Sequence, residues 1–566
     1  MAAIRCTPVR PGTRHTSTRG DRGMSAGPQP QLRDVVTAPE RRAEYLADGR
    51  WDDAHLSRRL SEAAAKHPDK VAVVDLEGSR THTYAQLDAD AAKVAGILRQ
   101  AGLQRGDVAT VQLPNWYETV AIDLGILRAG GVLNPVLPIY RYHELHHVLN
   151  AGNVTVLFTP DIYRDFDHAG LAASLREEVR SLNTTVVVPD PTADPGGFRD
   201  WLDQAPAGDD EVDLEASDVS ELIFTSGTEA APKAVMHTEQ TVNFSARAAA
   251  TSLGLTDSDI VWMPSPIGHS TGFNYGVRLA VYHGLTLVLQ DRWAPEVASR
   301  LIESQRCSYA VAATTFVSDL TAQAAADGSD LSSLRLFGSG GATVPPEVVA
   351  SAERVGMNVL RLYGSTEVMV ATWNRPDSPA DKRQNTDGFV LDGLEVKVVG
   401  EDGAATVGTE GEILIRGPNT CVGFFDDPAR VASTFDDDGW VRSGDLGVLD
   451  ADGYLTVVGR KKEIIIRGGL NIAPREIEEM LLRMPAVEQV AVVGLPDDRL
   501  GEMACACVVT PDDDLTLDSL VSYMKSLGAA AYKLPERFVR VESIPMTLTG
   551  KVQKFELVRS IQEGSL

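Results

Sequence analysis

Apolar residues along this chain fall in short blocks whose spacing alternates between two periods. Leu56 to Ala65 repeats at helical spacing, and Val71-Ala72-Val73-Val74 is then a continuous apolar run of strand length. Thr83-Tyr84-Ala85-Gln86-Leu87 opens a helix that runs to Ala101, with Gly102 as its stop. Val108 to Leu113 reads as a buried strand ended by Pro114-Asn115, Trp116 to Leu127 as a helix and Val132 to Leu137 as a strand. Leu222-Ile223-Phe224, Ile260 to Met263 and Leu334 to Phe337 continue the series, and Val235 to Phe244 starts either a helix or a second strand. Residues 189–213 are rich in Pro, Asp and Gly and read as surface loop, apart from a short helix at Phe198–Leu202. Strand and helix patterns alternating at this spacing predict an α/β protein built mainly on parallel sheets with flanking helices.

Composition narrows the function classes. The 566 residues include 79 acidic and 53 basic side chains, a formal net charge of −26, and such a surface repels nucleic acid and anionic lipid. It leaves room for anionic ligands, because a local cluster of donors holds a phosphate inside a negative protein. Cys6, Cys307, Cys421, Cys505 and Cys507 are few, odd in number and scattered, which predicts a reducing cytoplasm rather than a disulfide framework. Cys505 and Cys507 alternate within Ala504–Val509, as two small apolar side chains on one face of a strand. No run of about 18 apolar residues occurs, so no membrane span is expected. Residues 1–31 set Arg5, Arg10, Arg14, Arg19 and Arg22 against the single acid Asp21. They read as a disordered extension, with Met24 an alternative start.

Phe224 to His237, FTSGTEAAPKAVMH, carries the first chemistry. Thr225, Ser226, Gly227 and Thr228 form a tight hydroxyl-rich loop whose N–H and O–H donors can converge on phosphate, and Lys233 adds a mobile positive charge. It is not a GxxxxGK[ST] loop, since Pro232 stands where the second glycine belongs. Gly338-Ser339-Gly340-Gly341-Ala342-Thr343 likewise fails the dinucleotide fingerprint at Thr343. His143-Glu144-Leu145-His146-His147 satisfies HExxH, but no third zinc ligand follows at a recognised spacing, so it reads as a polar surface helix beginning after Tyr140.

Further motifs follow in order. They are a His269-Ser270-Thr271-Gly272-Phe273 turn after a strand, the Gly338–Ala342 turn and Tyr363-Gly364-Ser365-Thr366-Glu367. Next come Gly411-Glu412-Ile413-Leu414-Ile415-Arg416-Gly417 and Gly439-Trp440-Val441-Arg442-Ser443-Gly444-Asp445. The long run Gly459-Arg460-Lys461-Lys462-Glu463 to Glu478 and finally Pro545 to Lys554, with Lys551 after Gly550, complete the series. In this order they resemble [ST]SG[ST]TGxPKGV, YG[ST]TE, GELxxRG, GWxxTGD, GRxKDxIxxGGxNIxPxEIE and PxTxxGKxxK of the adenylate-forming superfamily. That superfamily comprises acyl-CoA synthetases, luciferases and the adenylation domains of peptide synthetases, and the resemblance spans Leu56 to Leu557 and is nearest to carboxylate–CoA ligases. Glu229, Ala230 and Ala234 depart from the loop pattern, and Glu229 sets a negative charge beside a phosphate site.

The resemblance implies a role for each matching residue. Thr225, Ser226, Gly227, Thr228 and Lys233 would hold phosphates, Gly340, Gly341, Ala342, Tyr363 and Gly364 the adenine, and Asp445 and Arg460 the ribose or phosphate. Thr366 would touch the α-phosphate, Glu367 would hold Mg2+ and Lys551 would be the catalytic lysine. His269, Phe273, Phe316 and Gly338 would line the acid pocket. Lys462 would be the hinge, and Gly468 and Gly469 would let a pantetheine chain pass. The implied architecture is an adenylation domain over residues 32–459 and a small mobile α+β domain over 460–566. The implied reaction joins a short- or medium-chain, cyclic or aromatic acid to coenzyme A through an acyl-adenylate, with ATP and Mg2+. Two alternatives stand beside it. One is transfer of an activated carboxylate, or another oxyacid such as nitrite, to an amine or carrier protein. The other is a nucleotide-binding protein that has lost catalysis. The oligomeric state is not legible in the sequence.

Overall fold

The computed structural model describes residues 37–206, 213–225, 232–342, 344–467, 470–497, 501–547 and 551–566. The 1–31 extension, Ser226, Gly227, Thr228, Glu229, Ala230, Gly468 and Gly469 therefore lie outside the described residues.

The predicted α/β class is observed, and its parallel character lies in two sheets of a large N-terminal domain. One sheet has nine strands, of which six neighbours are parallel: Val359–Ser365, Leu336–Ser339, Tyr309–Ala312, Ile260–Met263, Thr286–Leu289 and Val71–Asp75. The other has seven strands, with five parallel from Val219–Thr225 through Val132–Pro135, Val108–Val111 and Val156–Pro160 to Thr184–Val188. Antiparallel strands close both edges of the nine-stranded sheet and one edge of the seven-stranded sheet, whose other edge is the parallel strand Thr184–Val188, and a five-stranded antiparallel sheet from Glu395–Val399 to Leu455–Arg460 completes the large domain. The C-terminal domain wraps helices around Leu470–Ile472, Ile465–Arg467, Gly501–Val509 and Gln489–Asp497, with Arg537–Arg540 parallel to Gly501–Val509.

Period-two alternation explains the layering. Val261 and Met263 face a main core shared with Ala109, Val111, Leu133 and Phe158 of the other sheet. Trp262, between them, faces an outer layer with Val288, Ala298 and Phe337. Helices Tyr84–Gln100 and Tyr117–Arg128 lie within the main core, and the first starts with the capping box Thr83/Gln86. Both readings of Val235 to Phe244 hold in succession: strand Lys233–Thr238, then helix Glu239–Leu253 capped by Thr238. The HExxH segment is helix Tyr142–Ala151, where Glu144 Oε2 accepts from the Arg141 N–H at 3.0 Å, so that carboxylate serves the helix start. Cys505 and Cys507 are buried on one face of Gly501–Val509. Among the described residues no helix is long and apolar enough to cross a membrane.

Beneath the first strand of the hairpin Val219–Thr225/Lys233–Thr238 lies a wholly buried ionic cluster. Arg278, at 0% exposure, pairs with Glu221 at 2.7 Å and Glu239 at 2.9 Å, and donates to Asn243 Oδ1 at 2.7 Å. Glu239 Oε2 also accepts from the Leu56 N–H at 2.8 Å, which ties the first long helix to the hairpin. Burial pushes the Glu221 carboxyl up, and Arg278 only partly opposes it; at Glu239 the same burial is overcome and the carboxyl falls to about 2. Removing the guanidinium strands two carboxylates in the core. Arg278→Met is expected to destabilise the large domain by about 3–5 kcal/mol, read as an earlier urea midpoint; an unchanged midpoint would show that the cluster carries no net stability.

Candidate active site

The site forms where the loop ends of the nine-stranded sheet meet the hairpin, the antiparallel sheet and the C-terminal tail. In the hairpin Val219–Thr225 pairs with Lys233–Thr238, with Lys233 opposite Thr225. That register brings the two described ends of the hydroxyl-rich loop side by side. Thr225 is half-buried, and its buried Oγ1 has no hydrogen-bond partner among the described residues.

Lys233 reaches across to Glu367 and forms an ion pair with Oε1. Glu367 is 7% exposed. Burial alone raises its pKa most, but the Lys233 ammonium, with hydrogen bonds from Ser365 and the backbone, outweighs that effect and the net shift is downward, so the carboxylate stays charged. The peptide behind it is fixed by His237, whose Nε2–H donates to the Thr366 carbonyl at 2.7 Å, while Nδ1 lies 3.0 Å from Thr241 Oγ1. Burial lowers the His237 pKa to about 4, so the ring is neutral and its donor is permanent at neutral pH. No role for His237 was legible in its residue type. The available signal was strand alternation, which sets Lys233, Val235 and His237 on one face.

The Tyr363-Gly364-Ser365-Thr366-Glu367 motif ends strand Val359–Ser365 and enters the turn to the antiparallel strand Met369–Trp373. A Cβ on Gly364 would stand 1.9 Å from the Met369 carbonyl oxygen, so this turn admits no side chain. The glycine-rich turn follows Leu336–Ser339, and a Cβ on Gly340 would stand 2.4 Å from the Leu362 carbonyl oxygen. Gly340 thus lies directly over the residue before Tyr363, while Gly341 and Ala342 are exposed beyond it. The strand runs two residues past the predicted Phe337, which buries Gly338 against the Trp373 ring.

Tyr363 and Asp445 meet, with the phenol donating to Asp445 Oδ2 at 2.7 Å. Arg460, on the neighbouring strand and in register with Asp445, places Nε 3.2 Å from Oδ1. Burial raises the Asp445 pKa, and Arg460 and Tyr363 pull against it. Ser443 Oγ accepts from the Asp445 N–H at 3.0 Å and donates to the Ile413 carbonyl at 2.7 Å, which anchors the turn on the Gly411–Arg416 strand.

The tail completes the cluster. Lys551 is exposed, yet it stands near the charges of Arg460, Asp445, Glu367 and Lys233. Desolvation lowers its pKa most, the Arg460 and Lys233 charges lower it further, and Asp445 and Glu367 raise it. Its loop is held by the Lys551 N–H donating to Thr547 Oγ1 at 3.0 Å and by the Met546/Val552 bridge. His269 also feels Lys551: burial first and then that ammonium lower its pKa to about 4. Five segments far apart in sequence therefore surround one space, through Lys233, Glu367, Asp445 with Arg460, His269 and Lys551.

The remaining expected residues are placed less centrally. His269 caps the short turn Ser270–Gly272, which passes into a π-helical stretch, Phe273–Arg278. Phe273 is fully buried in the main core, whereas Phe316 packs in the outer layer with its ring 4.5 Å from Trp293. The structure does not bring these two rings together. Lys462 is exposed in the 3-10 turn Lys461–Glu463 between the domains.

A fit to Mg2+ can be judged from the donors. Glu367 supplies one ionised carboxylate, and no group of three or more His, Cys, Asp or Glu among the described residues is arranged to hold a metal. One carboxylate completed by phosphate oxygens and water is the ligand set this ion takes in phosphoryl sites.

Two family descriptions match the chain: AMP-binding enzyme over residues 60–425, and AMP-binding enzyme C-terminal domain over residues 476–551. The chain is 38% identical over 530 residues to a medium-chain fatty-acid–CoA ligase of Escherichia coli K12, covering 92% of this chain and 93% of that protein. It is 32% identical over 564 residues to a salicyl-AMP ligase / salicyl-S-ArCP synthetase of Mycobacterium tuberculosis, covering 95% and 96%. A crystal structure of ATP-bound MatB from Rhodopseudomonas palustris superposes with a TM-score of 0.82 at 26% identity, over 91% of this chain and 100% of that one. The chain belongs to the AMP-binding enzyme family, and it is an AMP-forming acid–thiol ligase that adenylates its acid at the expense of ATP.

Proposed function

We propose that the thiol is coenzyme A and that the acid is a medium-chain or aromatic carboxylate. The observation that supports this most is the 38% identity, over 92% of the chain, to a medium-chain fatty-acid–CoA ligase, beside the 32% identity to a salicyl-AMP ligase; the convergence of Lys233, Glu367, Asp445 and Lys551 matches the first half-reaction, which brings a carboxylate to a polyphosphate. Two anions must meet at the α-phosphorus, and fixed positive charge in a partly dry site lowers that barrier. Lys233 and the Thr225 hydroxyl hold the phosphates of ATP at the loop. Asp445 accepts from the ribose hydroxyls, with Tyr363 and Arg460 fixing its orientation. Lys551 sets its ammonium beside the acid carboxylate and the α-phosphate as they combine, and pyrophosphate leaves. Mg2+, when held by Glu367 and phosphate oxygens, supplies further neutralisation of the phosphates.

We place the domain boundary between residues 459 and 460 and the pivot at Lys462. Rotation there withdraws Lys551 and opens the adenylate to a thiol that passes the 468–469 loop. The acid enters beside His269, which is neutral and so adds no competing charge. Buried, unpaired thiols at Cys307, Cys421, Cys505 and Cys507 favour a cytoplasmic location.

The acid and the acceptor are tested together by pyrophosphate release across hexanoate, octanoate, decanoate, benzoate and salicylate, with and without coenzyme A. Release that needs one of these acids, with thioester formed on adding coenzyme A, is the expected result. Adenylate that accumulates without thioester would move the acceptor to a carrier protein or amine. ATP binding with no acid-dependent release would replace this reading with a binding protein. Lys551→Ala is expected to lower adenylate formation by about 100-fold or more while sparing thioester formation from supplied acyl-adenylate; equal loss in both would refute its confinement to the first half-reaction. Asp445→Ala is expected to raise the KM for ATP at least about tenfold, as loss of a charged hydrogen-bond acceptor does. Unchanged ATP kinetics would remove its ribose role.

A further inference from the structure

We infer that Arg475 is a positioning residue, a releasable latch that holds the C-terminal domain in the adenylate-forming orientation by pairing with Asp387 of the large domain. This rests on the two-step reading above and adds to it the contact that selects between the two orientations.

Asp387 is 5% exposed and follows helix Ala380–Asn385. Its Oδ1 accepts from Arg361 Nη2 at 2.7 Å, and its Oδ2 accepts from the Val457 N–H at 2.8 Å. Arg361, 2% exposed, sits two residues before Tyr363, and Val457 lies on the strand that ends at Arg460. Asp387 therefore joins the strand of the nucleotide motif to the strand that leads into the hinge.

Arg475 enters this junction from the other domain. It is the second residue of helix Pro474–Leu481, its side chain is 13% exposed, and its Nη2 lies 3.7 Å from Asp387 Oδ1. Its Nε donates to Glu479 Oε1 on its own helix at 2.9 Å. Burial lowers the Arg475 pKa, but Asp387 and then Glu479 more than restore it, so the guanidinium is charged and held. At 3.7 Å the contact across the domains is an ion pair rather than a hydrogen bond.

Asp387 thus holds two guanidinium groups unequally. When the small domain rotates, Asp387 keeps Arg361 and the Val457 N–H, and Arg475 keeps Glu479. No buried charge is abandoned, so the contact can break on every turnover. In the orientation described here Lys551 lies among Asp445, Glu367 and Lys233, so the Arg475–Asp387 pair exists together with the assembled first-step site.

The test compares half-reactions in the full chain, with octanoate and salicylate run in parallel. Acid-dependent pyrophosphate exchange reads the first half, and thioester formation from supplied octanoyl- or salicyl-adenylate reads the second. Arg475→Ala is expected to slow exchange about tenfold, in kcat more than in the KM for ATP, and to leave transfer unchanged or faster. Arg475→Lys, which keeps the charge, is expected to restore most of the exchange rate. Glu479→Gln, which takes away the charge that holds Arg475 once the contact opens, is expected to slow transfer more than exchange; a ratio of the two halves unchanged from the native chain would show that Glu479 plays no part in release. Equal loss of both halves, or an exchange rate unaffected by Arg475→Ala, would overturn the latch. Should the native chain show no acid-dependent exchange with any acid in the panel above, the two-step reading itself fails and the latch falls with it.

Discussion

The structure depends on keeping Glu367 ionised in a nearly dry place. Burial opposes that charge, and the ammonium of Lys233, delivered by the facing strand of a hairpin, leads the groups that overturn the opposition, with the Ser365 hydroxyl and a backbone N–H behind it. Much of the neighbouring architecture serves this one pair. The hairpin register sets Lys233 opposite Thr225, and His237, four residues further along on the same face, grips the carbonyl of Thr366. The peptide that carries Glu367 is thus held by the same strand that neutralises it. Below, the Arg278 cluster binds the partner strand of the hairpin through Glu221 and the following helix through Glu239, so the hairpin is anchored by charge as well as by packing.

A net charge of −26 sits oddly with a site meant for polyanions, and the geometry resolves the conflict by locality. Lys233, Arg460 and Lys551 stand close enough for each of the first two to depress the pKa of the third. That repulsion is offset by Glu367 and Asp445, each of which lies against a cation. The result is a pocket of mixed charge whose cations gain partners when phosphate enters. Over the few ångströms that matter, near charges outweigh distant ones, since screening by salt removes most of the surface field beyond about 10 Å.

Strand and helix placement was largely legible because the chain states it with strong signals: Thr83 and Gln86 as a capping box, Pro114-Asn115 after a strand, Gly102 after a helix. The candidate site was legible as a list of motifs, since small residues and charges at close spacing survive in linear order. Gly364 illustrates why, because a carbonyl at 1.9 Å from any Cβ leaves one residue type for that turn. What linear order hides is the partner of a buried polar group. His237 and Asp387 are each defined by atoms more than a hundred or a few tens of residues away, at Thr366, Arg361 and Val457, and neither carries a local signature. The expected pocket aromatics show the same limit in reverse. Phe273 and Phe316 look equivalent in sequence, but they stand on different helical segments, Phe273–Arg278 and Thr314–Asp327, whose directions send them into different layers.

The two domains are joined by contacts of different permanence, and the difference follows from where each charge is stored when the contact breaks. Arg483 with Glu347, at 3.1 Å, is exposed on both sides, so water replaces either partner readily and the pair contributes little orientation. Lys461 with Glu412, at 2.8 Å, lies beside the pivot, where rotation changes distances least. Arg475 with Asp387 is the pair that is both shielded from water and displaced from the pivot along helix Pro474–Leu481. Shielding strengthens it, displacement makes it sensitive to rotation, and the second partners at Arg361 and Glu479 keep either charge from being stranded. A stronger, isolated pair in this position would trap the first orientation, and an exposed one would fail to favour it. A reaction in two steps, each needing its own arrangement of the same residues, is best served by a contact of this intermediate kind.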